Sequence, residues 1–200
     1  MTHPVVAAGF GPVDAWPVGE RVRLRPPEPA DEKPLALWAT EAYRSHWNDF
    51  GLAPRTLTEQ LADGPLISDT HGTLIVEERR TRQPVGTVSW FTVRYGPNPA
   101  SRVWNLGIEL IPESQGRGLG SEAQRLLVDW LFRYTEVFRI EASTDVANHA
   151  EQRALVKAGF RPDGRIRGAQ YRAGQWRDLL LYGILRDEWT SPIVGPAAPS

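Results

Sequence analysis

From residue 123 to residue 134 the apolar side chains Ala123, Leu126, Leu127, Trp130, Leu131 and Tyr134 recur at the spacing of one helical face. The pattern predicts an amphipathic helix starting near Ser121 and packed on a sheet, with Glu122, Arg125, Asp129 and Arg133 facing away. Just before it, residues 102–111 alternate as a strand does, with Trp104, Leu106, Ile108 and Leu110 on one face and Asn105, Gly107 and Glu109 on the other. The same period of two marks residues 21–25, which Pro26, Pro27 and Pro29 end ahead of a helix capped by Asp31 and carrying Leu35, Trp38 and Ala39 at helical spacing. A second helix is expected over 43–48 and a short third over 58–62. Residues 73–78 and 85–95 read as a hairpin, and Gly96-Pro97-Asn98-Pro99 breaks the chain before 102–111. Beyond the long helix, 138–144 predicts a strand, 148–158 a helix, and 165–171 and 179–185 two strands joined at Ala173-Gly174-Gln175. The order is that of a mixed sheet flanked by helices, without an internal repeat.

Two hundred residues with 41% apolar content suit one domain with a sizeable core. The Gly-, Pro- and Ala-rich ends predict flexible tails at 1–19 and 190–200 around a domain at 20–189. A formal charge of −1 offers no basic stripe for nucleic acid. The absence of cysteine excludes disulfides, thiolate metal sites and cysteine nucleophiles. The four histidines, His3, His46, His71 and His149, show no metal spacing, so no metal is expected. With no apolar run of membrane-spanning length and no signal pattern at the N-terminus, a cytoplasmic protein away from the membrane is expected.

Between the strand and the long helix lies Gln115-Gly116-Arg117-Gly118-Leu119-Gly120. A glycine-rich turn that opens a helix aims unpaired backbone N–H groups at one point, and the helix dipole adds positive potential, so the turn can hold a phosphate or pyrophosphate. Alternate glycines let the backbone approach a ligand closely, and Arg117 offers a charge-assisted contact. A P-loop is excluded, because no Gly-Lys-Ser/Thr follows. A dinucleotide fingerprint fits only in part: Ser121 stands where the third glycine belongs and too few βαβ units follow, although Glu141 lies at roughly the spacing of a ribose-binding acid. The third pattern, Gln/Arg-x-x-Gly-x-Gly/Ala, is matched by Gln115, Gly118 and Gly120 and resembles the acyl-CoA loop of the GNAT acetyltransferase superfamily.

The likeness extends along most of 19–189. Residues 107–119 resemble the strand-loop-helix core of the subfamily that includes the ribosomal-protein N-terminal acetyltransferases RimJ and RimL, and Asn148-His149-Ala150-Glu151-Gln152-Arg153-Ala154-Leu155-Val156-Lys157-Ala158-Gly159-Phe160 resembles its Asn-x-x-Ser-x-Arg-x-Leu-x-Lys-x-Gly-Phe segment. The resemblance implies an α/β (α+β) GNAT fold, a mixed and mostly antiparallel central sheet of about seven strands with helices on both faces. It implies a monomer or homodimer that moves an acetyl group from acetyl-CoA directly to a primary amine, in a cleft where the fourth strand splays from the fifth. The favoured acceptor is the α-amine of a peptide or protein. A small-molecule amine such as an antibiotic or metabolite, and a non-catalytic acyl-CoA-binding module, remain the alternatives.

For the cofactor the likeness points to Leu110, Ile111, Gln115, Gly116, Arg117, Gly118, Leu119, Gly120, Ser121, Asn148 and Arg153, with the Leu110 N–H polarising the thioester carbonyl. Asn148 is equally suited to cap a helix, and Arg153 to pair on a helix surface. Glu109 is the first candidate for the base, and Glu141, acting through water, the second. Glu151 stands where the subfamily has a serine near the leaving thiolate; it could be a proton donor only with a raised pKa, and the reading taken is that it lies on the helix surface. Tyr171 and Tyr182 are then the candidate acids, with water as the alternative. The acceptor site is assigned to aromatics of the first helices and last hairpin, Trp38, His46, Trp47 and Trp176, each of which could equally fill the core.

Overall fold

The computed structural model describes residues 16–40, 43 and 45–190. Most of both expected tails lies outside these residues, as does His3. The described part of the N-terminal stretch is packed, with Trp16 stacked on Trp130 at 5.2 Å between centroids.

Seven strands form one sheet: β1 Val22–Arg25, β2 His71–Glu78, β3 Gln83–Arg94, β4 Arg102–Leu110, β5 Arg139–Asp145, β6 Arg161–Arg172 and β7 Gln175–Leu185, in the order β1-β2-β3-β4-β5-β7-β6. Every pairing is antiparallel except β4 with β5. A parallel pair cannot be closed by a hairpin, and the long helix predicted from the apolar stripe, α3 Leu119–Tyr134, makes the crossover. Its Leu126, Leu127, Val128 and Leu131 join the fully buried Trp90 and Trp104 in the core. Helix α4, His149–Ala158, packs beside α3, while α1, Glu32–Trp38, and α2, Leu57–Asp63, pack together near the β3–β4 end of the sheet.

Two expectations fail here. Tyr43 and residues 45–48 form turns instead of a helix, because Ser45 satisfies neighbouring backbone locally: its carbonyl accepts from the Asn48 N–H at 2.8 Å and its hydroxyl from the Trp47 N–H at 3.3 Å. Glu122 and Asp129 do not face away on α3. Both are buried, Glu122 accepting from the Arg21 N–H at 2.9 Å, and Asp129 paired with Arg133 and accepting from Trp189 Nε1.

The feature that matters for function is where the parallel ladder stops. β4 and β5 are paired only at Trp104 with Ile140, Asn105 with Glu141 and Leu106 with Ala142. β4 runs on to Leu110 held by β3, and β5 runs on to Asp145 held by β7, so beyond Leu106 the two strands part and open a gap in the middle of the sheet.

Candidate active site

A cavity of about 400 Å³ fills that gap, lined by the end of β4, the glycine-rich turn, the end of β5, the start of α3, one side of α4, the end of β6 and residues of 45–50. Its β4 wall carries unpaired backbone. The Ile111 N–H donates to the Val85 carbonyl at 3.0 Å, and strand alternation then turns the N–H and C=O of Leu110 away from β3 and into the gap. There Gln115 Nε2 donates to the Leu110 carbonyl at 2.9 Å, fixing the turn to the strand edge.

The turn itself is built on left-handed backbone. Gly116 (φ 70°) and Gly118 (φ 81°) both occupy the region that favours glycine, and a Cβ at Gly116 would meet open space. Gly118 is the N-cap of α3 and has no side chain to offer the helix, so the N–H groups of the first turn, Leu119, Gly120 and Ser121, find no acceptor one turn earlier and remain available at the cavity. Gly120 serves a different purpose. A Cβ there would lie 3.4 Å from the Ile108 and Leu110 side chains, so α3 sits in close contact with β4 at this point.

The predicted site residues fall into two groups. Glu109, Leu110, Gln115, Gly116, Gly118, Gly120, Ser121, Asn148, Arg153 and Trp47 all line the cavity. Asn148 also caps α4, its side chain accepting from the Glu151 N–H at 3.2 Å. The others lie elsewhere. Leu119 is buried in the core, Ile111 and Trp38 line a second cavity, and Arg117 is ion-paired with Glu78. Glu141 is buried outside the lining and hydrogen-bonded on all sides: the Tyr95 hydroxyl donates at 3.0 Å, Asn105 Nδ2 at 3.2 Å and Arg139 Nε at 3.1 Å. Burial, with the Glu141 contact second, raises the Tyr95 hydroxyl above the ordinary tyrosine range. Tyr171 and Trp176 meet edge to face on the exposed turn end of the β6–β7 hairpin, 57% and 69% exposed. His46 packs on Trp47, ring centroids 4.0 Å apart, and Tyr182 is buried in the core.

Four lining side chains were not picked out as site residues from the sequence. Arg172 and Asp145, both buried, form an ion pair across β6 and the end of β5. Arg172 also donates to the Trp47 carbonyl at 2.8 Å and sits over the Trp47 ring at 5.3 Å, tying 45–50 to the sheet. Gln124 comes one turn after Gly120 on α3, a spacing that places both on the same flank. Glu151 does not lie free on the surface. It lines the cavity and accepts from Gln124 Nε2 at 2.8 Å, and its carboxyl is pushed up to about 7 by burial, the Gln124 contact acting in the opposite direction as the smaller influence. The surface assignment is corrected accordingly.

The second cavity, about 240 Å³, adjoins the first, and Asn48, Phe50, Glu109 and Leu110 line both. Its remaining wall is mainly apolar and aromatic, with Leu35, Trp38, Tyr43 and Leu52. Among the described residues, Glu109 and Arg55 are its charged members.

This geometry fits acetyl-CoA. An open strand edge can pair with an amide-bearing arm, a helix N-terminus behind left-handed glycines suits a pyrophosphate, and the cationic Arg153 and Lys157 stand on the α4 wall. Among the described residues no helix is long and apolar enough to cross a membrane.

Comparison with known proteins agrees. The family described as "Acetyltransferase (GNAT) domain" matches residues 21–161. A probable N-acetyltransferase, YjcK of Bacillus subtilis, is 35% identical over 104 residues, 52% of this chain and 56% of the relative, so the chain spans about half the length of that relative. The putative ribosomal N-acetyltransferase YdaF of the same organism is 24% identical over 185 residues, 86% of this chain and 95% of the relative. Among solved structures, Mycobacterium smegmatis RimJ in complex with CoA-disulfide superposes with a TM-score of 0.70 at 20% identity, over 85% of this chain and 84% of that one, a likeness of fold.

Proposed function

This chain belongs to the GNAT acetyltransferase family, and on that premise we propose that it is an enzyme moving an acetyl group from acetyl-CoA to the α-amine of a peptide or protein N-terminus in the cytoplasm. The observation that carries the reading is the junction of the two cavities at Glu109 and Leu110, which brings a donor groove and an acceptor pocket to one point. Bound there, acetyl-CoA supplies an activated thioester whose displacement by an amine needs little covalent assistance. The chain's own part is positioning and charge stabilisation. The first-turn N–H groups of α3, with Gly116 and Gly118, hold the pyrophosphate; the gap-facing N–H of Leu110 donates to the thioester oxygen. Glu109 stands at the junction to take the amine's proton, directly or through water.

Acceptor class follows from the second cavity. Among the described residues its charged members, Glu109 and Arg55, balance, whereas a polyamine calls for an excess of carboxylates. Trp38, Tyr43 and Phe50 offer flat surfaces for the first side chains of a peptide. The YdaF likeness favours the same class. An α-amine, with an ordinary pKa of about 7.7–8.0, is also deprotonated far more cheaply than a lysine at about 10.4. Thiol release from acetyl-CoA should therefore occur with unblocked peptides and fail with the same peptides blocked at the N-terminus, even where they contain lysine. Turnover of small amines alone would move the assignment to a metabolite acetyltransferase. No thiol release with any amine, despite CoA binding, would leave an acyl-CoA-binding module.

A further inference from the structure

Among the described residues, the Glu151 carboxyl on the cleft wall has no cation paired with it. Asp145 is neutralised by Arg172 from β6, and Glu122, on the same helix as Gln124, is turned to the Arg21 N–H. His149, Arg153 and Lys157 share α4 with Glu151, and Glu109 faces the cavity from β4, yet the influences acting on Glu151 are burial, which favours its neutral form, and the single Gln124 contact. A second observation points the same way. Gln124 is 2% exposed, and while its Nε2 donates to Glu151 Oε1, its Oε1 is a buried acceptor with no donor. A proton on Glu151 supplies that donor, since an amide and a carboxylic acid pair reciprocally, N–H to C=O and O–H to C=O. Turning the amide over would set its carbonyl against Glu151 and again require a proton there.

Resting on the acetyl-transfer reading, we propose that Glu151, paired with Gln124 on the wall of the cleft, is held as a neutral carboxylic acid and is the proton donor to the departing thiolate. As the amine nitrogen bonds to the acetyl carbon, the carbon–sulfur bond breaks with its electron pair on sulfur, and Glu151 gives its proton to that sulfur. The proton shed by nitrogen passes to solvent, and solvent reprotonates the Glu151 carboxylate. Gln124 is a positioning residue: it accepts the carboxyl O–H at rest, and its Nε2 keeps its hydrogen bond to Glu151 Oε1 when the O–H turns from the amide to the sulfur. A thiol has an ordinary pKa near 8.5, so a donor titrating near neutrality is matched to the sulfur it serves.

The test has two arms. Carboxyl ¹³C NMR of the free protein should show one glutamate with a midpoint near neutral pH, missing in Glu151→Gln; a spectrum in which every glutamate titrates below about pH 6 overturns the proposal. Glu151→Gln, which keeps a side chain for Gln124 to bind, should lose about 10²-fold in kcat with the acetyl-CoA KM within about twofold, and should lack the fall in kcat that the wild type shows above neutrality. Full-rate turnover by the folded variant, or an unchanged pH profile, also overturns it. Either failure leaves wild-type acetyl transfer standing. A wild type inert toward every amine removes the functional reading instead, and the NMR arm needs no turnover.

Discussion

Asn148 and Glu151, three positions apart at the start of α4, show how one helical turn divides its labour: the asparagine oxygen caps the Glu151 N–H while the Glu151 carboxyl reaches across to Gln124. Because the folded protein raises the carboxyl above its ordinary range, burial costs nothing below the unfolded pKa near 4.5 and increasingly penalises the carboxylate as pH climbs toward 7. Glu151→Gln removes that penalty. Its stability gain over wild type should be absent at pH 4, grow between pH 5 and 7, and level off above, at about 3 kcal/mol by chemical denaturation. A gain that is constant with pH would mean that the folded protein does not disfavour the carboxylate. Glu109 makes a separate prediction, since Glu109→Gln should lower kcat/KM at neutral pH and lose less as rising pH deprotonates the acceptor unaided. A deficit independent of pH would assign Glu109 to binding. The glycine-rich turn was legible from residue types alone, because few sequences other than a ligand-approaching turn place glycine at 116, 118 and 120. Glu151 was not, because its position on α4 reads equally as surface until Gln124 from another helix is seen beside it.

At the scale of elements, the cleft exists because β4 and β5 pair for three residues and then follow different partners. Helix α3 was legible in its apolar stripe, though not in the burial of Glu122 and Asp129, and all seven strands were anticipated, since period-two patterns and Gly/Pro breaks are local signals. What local pattern could not reveal was the Arg172 tie, whose partners Asp145 and Trp47 lie 27 and 125 residues away in the chain. Arg172→Ala leaves Asp145 buried without its cation and should cost about 3–5 kcal/mol in denaturant unfolding, while raising hydrogen exchange across 45–50. A loss below 1 kcal/mol would show that the pair adds little. In the turn, Gly118→Ala places a side chain on left-handed backbone, costing about 1–2 kcal/mol, and should weaken CoA binding in calorimetry. Unchanged affinity would remove the helix N-terminus from the cofactor site.

The whole molecule places one cavity in the gap of its sheet and a second beside it, the proposed donor groove and acceptor pocket, meeting at Glu109 and Leu110. The family was legible in two motifs at the proper separation, because the turn that holds a cofactor leaves a signature in adjacent residues. The acceptor pocket was less so: Trp38 and Trp47 do line cavities, while Trp176 and Tyr171 sit at an exposed hairpin tip, since side chains from distant segments enclose an acceptor without a common spacing. The central claim is the transfer of acetyl to a peptide α-amine, and one measurement reaches it directly. The protein is incubated at neutral pH with acetyl-CoA and a peptide carrying both a free N-terminus and an internal lysine, and tandem mass spectrometry locates the acetyl group. It should be found on the N-terminal nitrogen with the lysine unmodified; acetyl on the lysine alone would contradict the account.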